Sequence, residues 1–330
     1  MEAPGLKEIQ TVLIAGAGAV GSAVAARIED SLPGRVSVLA EGARGERYGR
    51  EGFEVNGRAY RFPVVSPPPA GSSSSPETGP EPADLILVAV KHHHLPETIR
   101  QMAPFVGGET TILSLMNGIT SEEMLGQAFG PGPGAPEGSL LPPYGMIIGI
   151  DAVRQENRTR FASPGTVFFG EGENLPGEES PRVARISRFF SRTGIRHQVP
   201  RDMLRTLWYK FMINVGVNQA SALLKAPYRL FQTDPDAREA METLMREVIA
   251  LAGARGIGLS GKDLDAWQET LHSLPADSYT SMAQDVLARR KTEVEMLAGT
   301  VSELGRQTGV PTPANDFCFR LLRAAEADYL

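Results

Sequence analysis

Lys210, Asn214 and Asn218 stand four residues apart in the stretch 207–218, whose other positions include Trp208, Phe211, Met212, Ile213, Val215 and Val217. Read as a helix at 3.6 residues per turn, the stretch lines up the lysine and both amides along one face. The other faces are apolar, so the helix is expected to be largely buried. An unpaired buried polar group costs roughly 1–3 kcal/mol, so this stripe needs partners, either neighbouring backbone or a bound molecule. A lysine drawn out of water gives up its proton more readily and becomes a usable acid near neutral pH. Two neutral amides beside it can donate hydrogen bonds to an anionic group without adding a competing charge.

A second polar stretch, 281–299, carries Ser281, Asp285, Thr292, Glu293 and Glu295. It reads as part of one long helix from 281 to about 307, with Ser281 and Gln284 as a capping box and Asp285 with Arg289 as an i, i+4 pair. On an ideal helix Ser281 and Glu293 differ by about 120° in direction. Both reach one ligand only if the helix starts near Ser281 or bends. A carboxylate near Lys210 raises the lysine pKa while burial lowers it, so the net shift stays open at the level of sequence.

The elements that must position this chemistry begin with a short apolar run at 11–15, which suits a buried parallel strand. It leads into Gly16-Ala17-Gly18-Ala19-Val20-Gly21 and then a small-residue helix. A G-x-G-x-x-G between a strand and a helix is a dinucleotide signature. Gly16 permits the tight turn, Gly18 lets backbone approach a pyrophosphate, Gly21 lets helix and strand pack closely, and the helix N-terminus faces the phosphates. A second strand at 36–40 ends at Glu41, 20 residues after Gly21. An acid there suits the ribose 2′-hydroxyl of NAD. Arg44 and Arg47 follow, and guanidinium forks suit a 2′-phosphate. The arginines favour NADPH, with a solvated surface loop as their plain alternative.

Residues 51–65 read as a hairpin turning at Asn56-Gly57. Strands are expected at 84–90 and 110–116, ending at Lys91 and at Asn117-Gly118 respectively. Ligands bind past the carboxyl ends of strands in such sheets. Lys91 and His94 are therefore candidates for cofactor contact and Asn117 for the nicotinamide ribose. His92, His93 and His94 invite a metal reading, but adjacent side chains diverge and no ligand lies nearby at suitable spacing, so no metal is expected. Low-complexity loops occupy 66–82 and 129–143. Strand-like segments at 146–150 and 166–169, a helix near 181–193 and a short segment at 195–199 close the first domain.

From about residue 202 the pattern turns helical, with an amphipathic helix at 237–255 and a last helix at 317–327. The expected architecture is α/β followed by all-α: a Rossmann dinucleotide-binding domain at 1–200 and a helical domain at 201–330. With 330 residues, 42% hydrophobic and 22% charged, the chain is long enough for two domains. A net charge of −6 argues against nonspecific nucleic-acid binding. A single cysteine, Cys318, excludes an internal disulfide. No apolar run of membrane-spanning length and no signal-peptide layout is present, so a cytoplasmic protein is expected. The C-terminal helices serve a homodimer interface or a buried core equally well.

Taken together, four blocks resemble the ketopantoate reductase (2-dehydropantoate 2-reductase) family. They are Gly16 to Gly21; Asn117-Gly118; Trp208-Tyr209-Lys210 with Asn214 and Asn218; and Ser281 to Asp285 with Arg290, Thr292, Glu293 and Gly299. The closing Gly309-Val310-Pro311-Thr312-Pro313 fits as well, and the resemblance covers essentially the whole chain. It implies a Rossmann domain followed by a helical domain like that of 6-phosphogluconate dehydrogenase. It also implies NADPH-dependent reduction of 2-dehydropantoate to pantoate, on the route to pantothenate and coenzyme A. In such an enzyme Lys210 is the general acid and Glu293 lies near the reacting carbonyl and the cofactor. Asn214, Asn218 and Ser281 hold the substrate, Asn117 touches cofactor and substrate, and Lys91 lies against the cofactor. A paralogue reducing another branched 2-keto acid, or a non-enzymatic NADP-binding sensor, shares the scaffold.

Overall fold

The computed structural model describes residues 7–68, 80–132, 139, 141–175 and 177–329. Most of the expected loop at 66–82, and 133–138 with 140 of the loop at 129–143, lie outside the described residues. The chain divides into two compact units, Met1–Met203 and Leu204–Leu330.

In the N-terminal unit the elements run β1 (Val12–Ala15), α1 (Ala19–Ser31), β2 (Val36–Leu39), α2 (Gly42–Glu51), β3 (Phe53–Val55), β4 (Arg58–Tyr60), β5 (Val64–Val65), β6 (Leu85–Val88), α3 (Leu95–Met102), β7 (Thr111–Ser114), α4 (Ser121–Phe129), β8 (Tyr144–Ile150), β9 (Val153–Gln155), β10 (Arg158–Arg160), β11 (Pro164–Gly170), α5 (Pro181–Arg192) and β12 (His197–Gln198). An all-parallel sheet has the order β5-β2-β1-β6-β7. The strand order reverses between β1 and β6, which is the ligand-binding switch point of a doubly wound sheet. The strands are apolar on both faces because both are covered. Ile14, Val38 and Leu87 pack with Val24 and Ile28 of α1, while Leu13, Ile86 and Val88 pack with Leu95, Met102 and Leu125. This is a Rossmann-like sheet with helices.

The hairpin is shorter than expected. β3 and β4 pair across Asn56-Gly57, whose φ values of 49° and 81° are those of a two-residue hairpin turn. Val64–Val65 instead joins β2 in parallel at the sheet edge. β10 pairs in parallel with β3 and antiparallel with β9, forming a second sheet of order β4-β3-β10-β9. Strands β8 and β11 form an antiparallel pair to which β12 adds.

The C-terminal unit is helical: α6 (Met203–Ile213), α7 (Gln219–Leu224), α8 (Tyr228–Thr233), α9 (Pro235–Ala254), α10 (Gly261–Ser273), α11 (Ser281–Leu287), α12 (Thr300–Thr308) and α13 (Pro313–Ala327). π turns at Asn214–Asn218 and Glu295–Gly299 lead into α7 and α12. The expected helix at 207–218 is therefore part of a longer one that widens in its middle. The last helix starts earlier than expected, at Pro313, where the missing N–H is no loss.

The single helix expected from 281 to 307 is broken. Arg289 takes φ 53°; its N–H donates to Val286 O at 3.0 Å, and the Arg290 N–H donates to Asp285 O at 2.8 Å. This pair of bonds is a Schellman stop with arginine where glycine is usual. The Arg289 guanidinium turns away to Asp328, and Arg290, not Arg289, pairs with Asp285 at 2.8 Å. The N-cap is also one residue earlier than expected, since Thr280 Oγ1 accepts from Ala283 N. Among the described residues no helix is long and apolar enough to cross a membrane.

Candidate active site

The N-terminal unit holds its candidate residues past the carboxyl ends of β1, β2, β6 and β7. Gly16 has φ +104°, and a Cβ there would meet Val90 Cγ1 at 2.5 Å and the Ala89 carbonyl at 2.8 Å. A Cβ on Gly21 would lie 2.1 Å from Gly16 O. Both glycines are thus required by the protein's own packing. Gly18, the N-cap of α1, is exposed, and a Cβ there would meet nothing nearer than Ala89 O at 4.0 Å. The fold does not need glycine at this position, whereas a pyrophosphate approaching the backbone does. Ala17, Ala19 and Val20 complete the turn and the start of α1, so the loop fits a dinucleotide.

Glu41 caps α2, and its Oε1 accepts from Gln101 Nε2 at 2.7 Å. Arg44 and Arg47 lie exposed on α2, a helix where the sequence offered a surface loop as the plain reading. Lys91 is half-buried at the end of β6 and opens a 3₁₀ turn of His92, His93 and His94. The rings of His93 and His94 lie 4.1 Å apart. Among the described residues no group of three His, Cys, Asp or Glu side chains is placed to hold a metal ion.

Asn117 is half-buried just past β7, beside Gly118 at φ +94°. Its segment is braced by a buried network that sequence reasoning missed. Ser114 Oγ accepts from Met116 N at 3.3 Å and lies 2.8 Å from Ser121 Oγ. Ser121 Oγ donates to Glu122 Oε2 at 3.0 Å, and Glu122 Oε1 accepts from Gly145 N at 3.3 Å. Burial pushes the Glu122 carboxyl up to about 7. An acid in the first turn of a helix is an ordinary surface feature, so nothing in the sequence marked it as buried.

In the C-terminal unit Lys210 is half-buried on α6. Burial lowers its pKa to about 8, and the charge of Glu293 opposes the shift. The competition left open by the sequence therefore resolves in favour of burial, with the acid and the carboxylate close enough to feel each other. Asn214 and Asn218 open and close the first π turn, and Asn218 Nδ2 donates to Asn214 Oδ1 at 3.4 Å. The wider turn breaks the ideal i, i+4, i+8 row. Within it a Cβ on Gly216 would meet the Met245 side chain at 2.4 Å, so α9 packs directly on backbone there. π turns recur at functional sites.

Glu293 sits two residues before the second π turn, which packs against the first. Thr292, fully buried, fixes it: Thr292 N donates to Glu326 Oε1 at 2.6 Å, and Thr292 Oγ1 accepts from Val294 N at 3.2 Å. The break after α11 frees Ser281 and Glu293 from ideal-helix geometry. Ser281 is exposed at the start of α11, which packs on α7 and on the Asn214–Asn218 turn. The C-terminal unit thus gathers an acid of lowered pKa, a carboxylate that tunes it, and neutral amides on adjoining backbone.

Comparisons with known proteins match this layout. The family described as ketopantoate reductase PanE/ApbA matches residues 12–174, and its C-terminal counterpart matches 202–326. The 2-dehydropantoate 2-reductase of Aquifex aeolicus is 26% identical over 96% of this chain and 97% of its own length. That of Mesorhizobium japonicum is 28% identical over 94% and 96%. Among solved structures, 2-dehydropantoate 2-reductase from Geobacter metallireducens has a TM-score of 0.78 at 24% identity, covering 96% of this chain and 99% of that one. A D-mandelate dehydrogenase solved with NADH and anilino(oxo)acetate has a TM-score of 0.79 at 20% identity, covering 97% and 99%. The glycine loop and the Lys210 helix therefore fall within two matched segments that span most of the sequence, and the chain belongs to the ketopantoate reductase family.

Proposed function

We propose that this chain reduces the keto group of 2-dehydropantoate to give pantoate, with NADPH as the reductant. The observation that carries this reading is Lys210, an acid with pKa about 8 whose charge is coupled to Glu293. Bound NADPH supplies the hydride. As negative charge builds on the carbonyl oxygen, Lys210 Nζ donates a proton to it, and a donor placed at developing charge is a large catalytic contribution. Lys210 is then neutral and recovers its proton from water. Glu293 opposes the effect of burial and so favours the protonated lysine. Asn214, Asn218 and Ser281 hold the substrate's carboxylate and hydroxyl, and Lys91 and Asn117 contact the dinucleotide.

NADPH is favoured over NADH because Arg44 and Arg47 follow β2, where the adenosine ribose lies in this fold, and because one oxygen of Glu41 is engaged by Gln101. Arg44→Ala should weaken NADPH but not NADH, and an unchanged ratio would remove the phosphate assignment. Homodimerisation belongs to the same proposal. It is supported by Phe317 and Leu321, exposed one turn apart on α13, and by a similarly folded dimeric ketopantoate reductase from Staphylococcus aureus. We place the reaction in the cytoplasm, consistent with a lone buried cysteine.

The direct test is NADPH oxidation with 2-dehydropantoate, beside NADH and a panel of 2-keto acids that includes an aryl one. Turnover confined to 2-dehydropantoate supports the assignment. A better substrate elsewhere in the panel keeps the chemistry and changes the substrate. Tight NADPH binding without turnover on any of them would favour a sensor.

A further inference from the structure

Arg154, on β9, reaches the dinucleotide loop from outside the β1-α1-β2 unit. Its Nη1 donates to the carbonyl of Ala17, inside the glycine loop, and its Nε donates to Glu156 O at 2.7 Å. The guanidinium lies 5.3 Å from the Tyr48 ring and 5.1 Å from the Phe53 ring, so its orientation is held by stacking. Nη2 is buried and has no hydrogen-bond partner. Tyr48 belongs to α2, and Arg47 of the same helix lies 5.8 Å from that ring. Arg44 and Arg47 are close enough to repel the Arg154 charge.

Three neighbouring arginines have carboxylates: Arg50 pairs with Glu51, Arg58 with Asp30 and Arg158 with Glu54. Among the described residues Arg44, Arg47 and Arg154 have no such ion pair. Three converging cations, one of them with a desolvated and unused donor, form an arrangement that an anion completes. The helix N-terminus and the loop amides already suit a pyrophosphate, which leaves the arginines for a phosphate further out on the adenosine.

We propose that Arg154 discriminates between cofactors, joining Arg44 and Arg47 in a three-arginine site for the 2′-phosphate of the adenosine half of NADPH. The proposal rests on the NADPH reading above and adds a residue from a hairpin that is remote in sequence. Anchoring Ala17 O couples that hairpin to the glycine loop, so the loop and the phosphate site are held by one side chain.

The test is calorimetric titration of adenosine 2′,5′-bisphosphate and of 5′-AMP into the full chain and its variants. Arg154→Met keeps the aliphatic packing on Tyr48 and Phe53. It should lose roughly 10- to 100-fold on the bisphosphate, the size of a charge-assisted hydrogen bond, and little on 5′-AMP, whose retained binding reports an intact fold. Arg154→Lys should fall between. Equal loss on both ligands would make Arg154 a loop anchor only and overturn the proposal, as would no loss on either. Discrimination kept in Arg154→Met but lost in Arg44→Ala would overturn the role of Arg154 and leave the NADPH reading standing. A wild-type chain that does not distinguish the two ligands would remove both.

Discussion

The glycine loop of the N-terminal unit and the Lys210 helix of the C-terminal unit solve the problem of presenting polar groups in different ways. The loop works with backbone. Its N–H groups need no side-chain placement, only the absence of Cβ atoms at Gly16, Gly18 and Gly21, and six consecutive residues contain the device. The proposed Lys210 site draws on side chains from segments about 80 residues apart. It is held by two π turns and by a buried threonine that caps the Glu293 turn. The backbone site is contained in consecutive residues, with Arg154 bracing it at Ala17 O, whereas a side-chain site depends on every neighbour that sets its pKa and its rotation about the helix axis.

The largest expected effect is that of Lys210→Ala, which should lower kcat by about 10²- to 10⁴-fold and leave dinucleotide affinity unchanged. Equal losses in both would place Lys210 outside the chemistry. Next come the two glycines. Gly21→Ala drives a Cβ into Gly16 O and should cost about 1–3 kcal/mol of stability, read by denaturant unfolding. Gly18→Ser meets open space and offers a favourable N-cap, so stability should hold within about 0.5 kcal/mol while dinucleotide affinity falls roughly tenfold. Loss of stability at Gly18 would show that the fold, not a ligand, requires it.

Gly216→Ala crowds Met245 beneath the first π turn. It should raise the substrate KM several-fold with cofactor affinity unchanged, because the turn carries Asn214 and Asn218. A pH-dependent effect concerns Glu122. Its folded pKa of about 7 is above its ordinary 4.5, so the neutral form is the one the fold favours. Its stabilising contribution is full below about pH 4.5 and is lost as pH rises through 7. Glu122→Gln should therefore gain Tm relative to wild type between those values, and a constant gap would contradict the assignment.

The same contrast explains what was legible in the sequence. The parallel strands and the glycine loop announce themselves because apolar runs and G-x-G-x-x-G are local signals. Helix α2 does not: it contains Gly42, Gly45 and Gly49 and buries only Tyr48, so local propensity points to a loop. The stop after α11 was invisible because arginine, a good helix former, takes the left-handed position that glycine usually marks. The first π turn has Met245 packed directly on Gly216, a contact that no spacing rule contains. The types of the candidate residues could be read from the chain; their directions could not. Arg154 was missed because nothing in 153–160 resembles a phosphate motif.

Lys210 is proposed to donate the proton, and Glu293 to set its readiness. The measurement that tests it most directly is the pH dependence of kcat for NADPH-driven reduction, in the wild type and in Glu293→Gln. Lys210 must be protonated to act, so wild-type kcat should be level below its pKa and fall as pH rises through about 8. Removing the Glu293 charge takes away the interaction that raises the lysine pKa, so the fall should begin at lower pH in the variant. A profile that stays flat to pH 10, or a break that does not move in Glu293→Gln, would contradict the account.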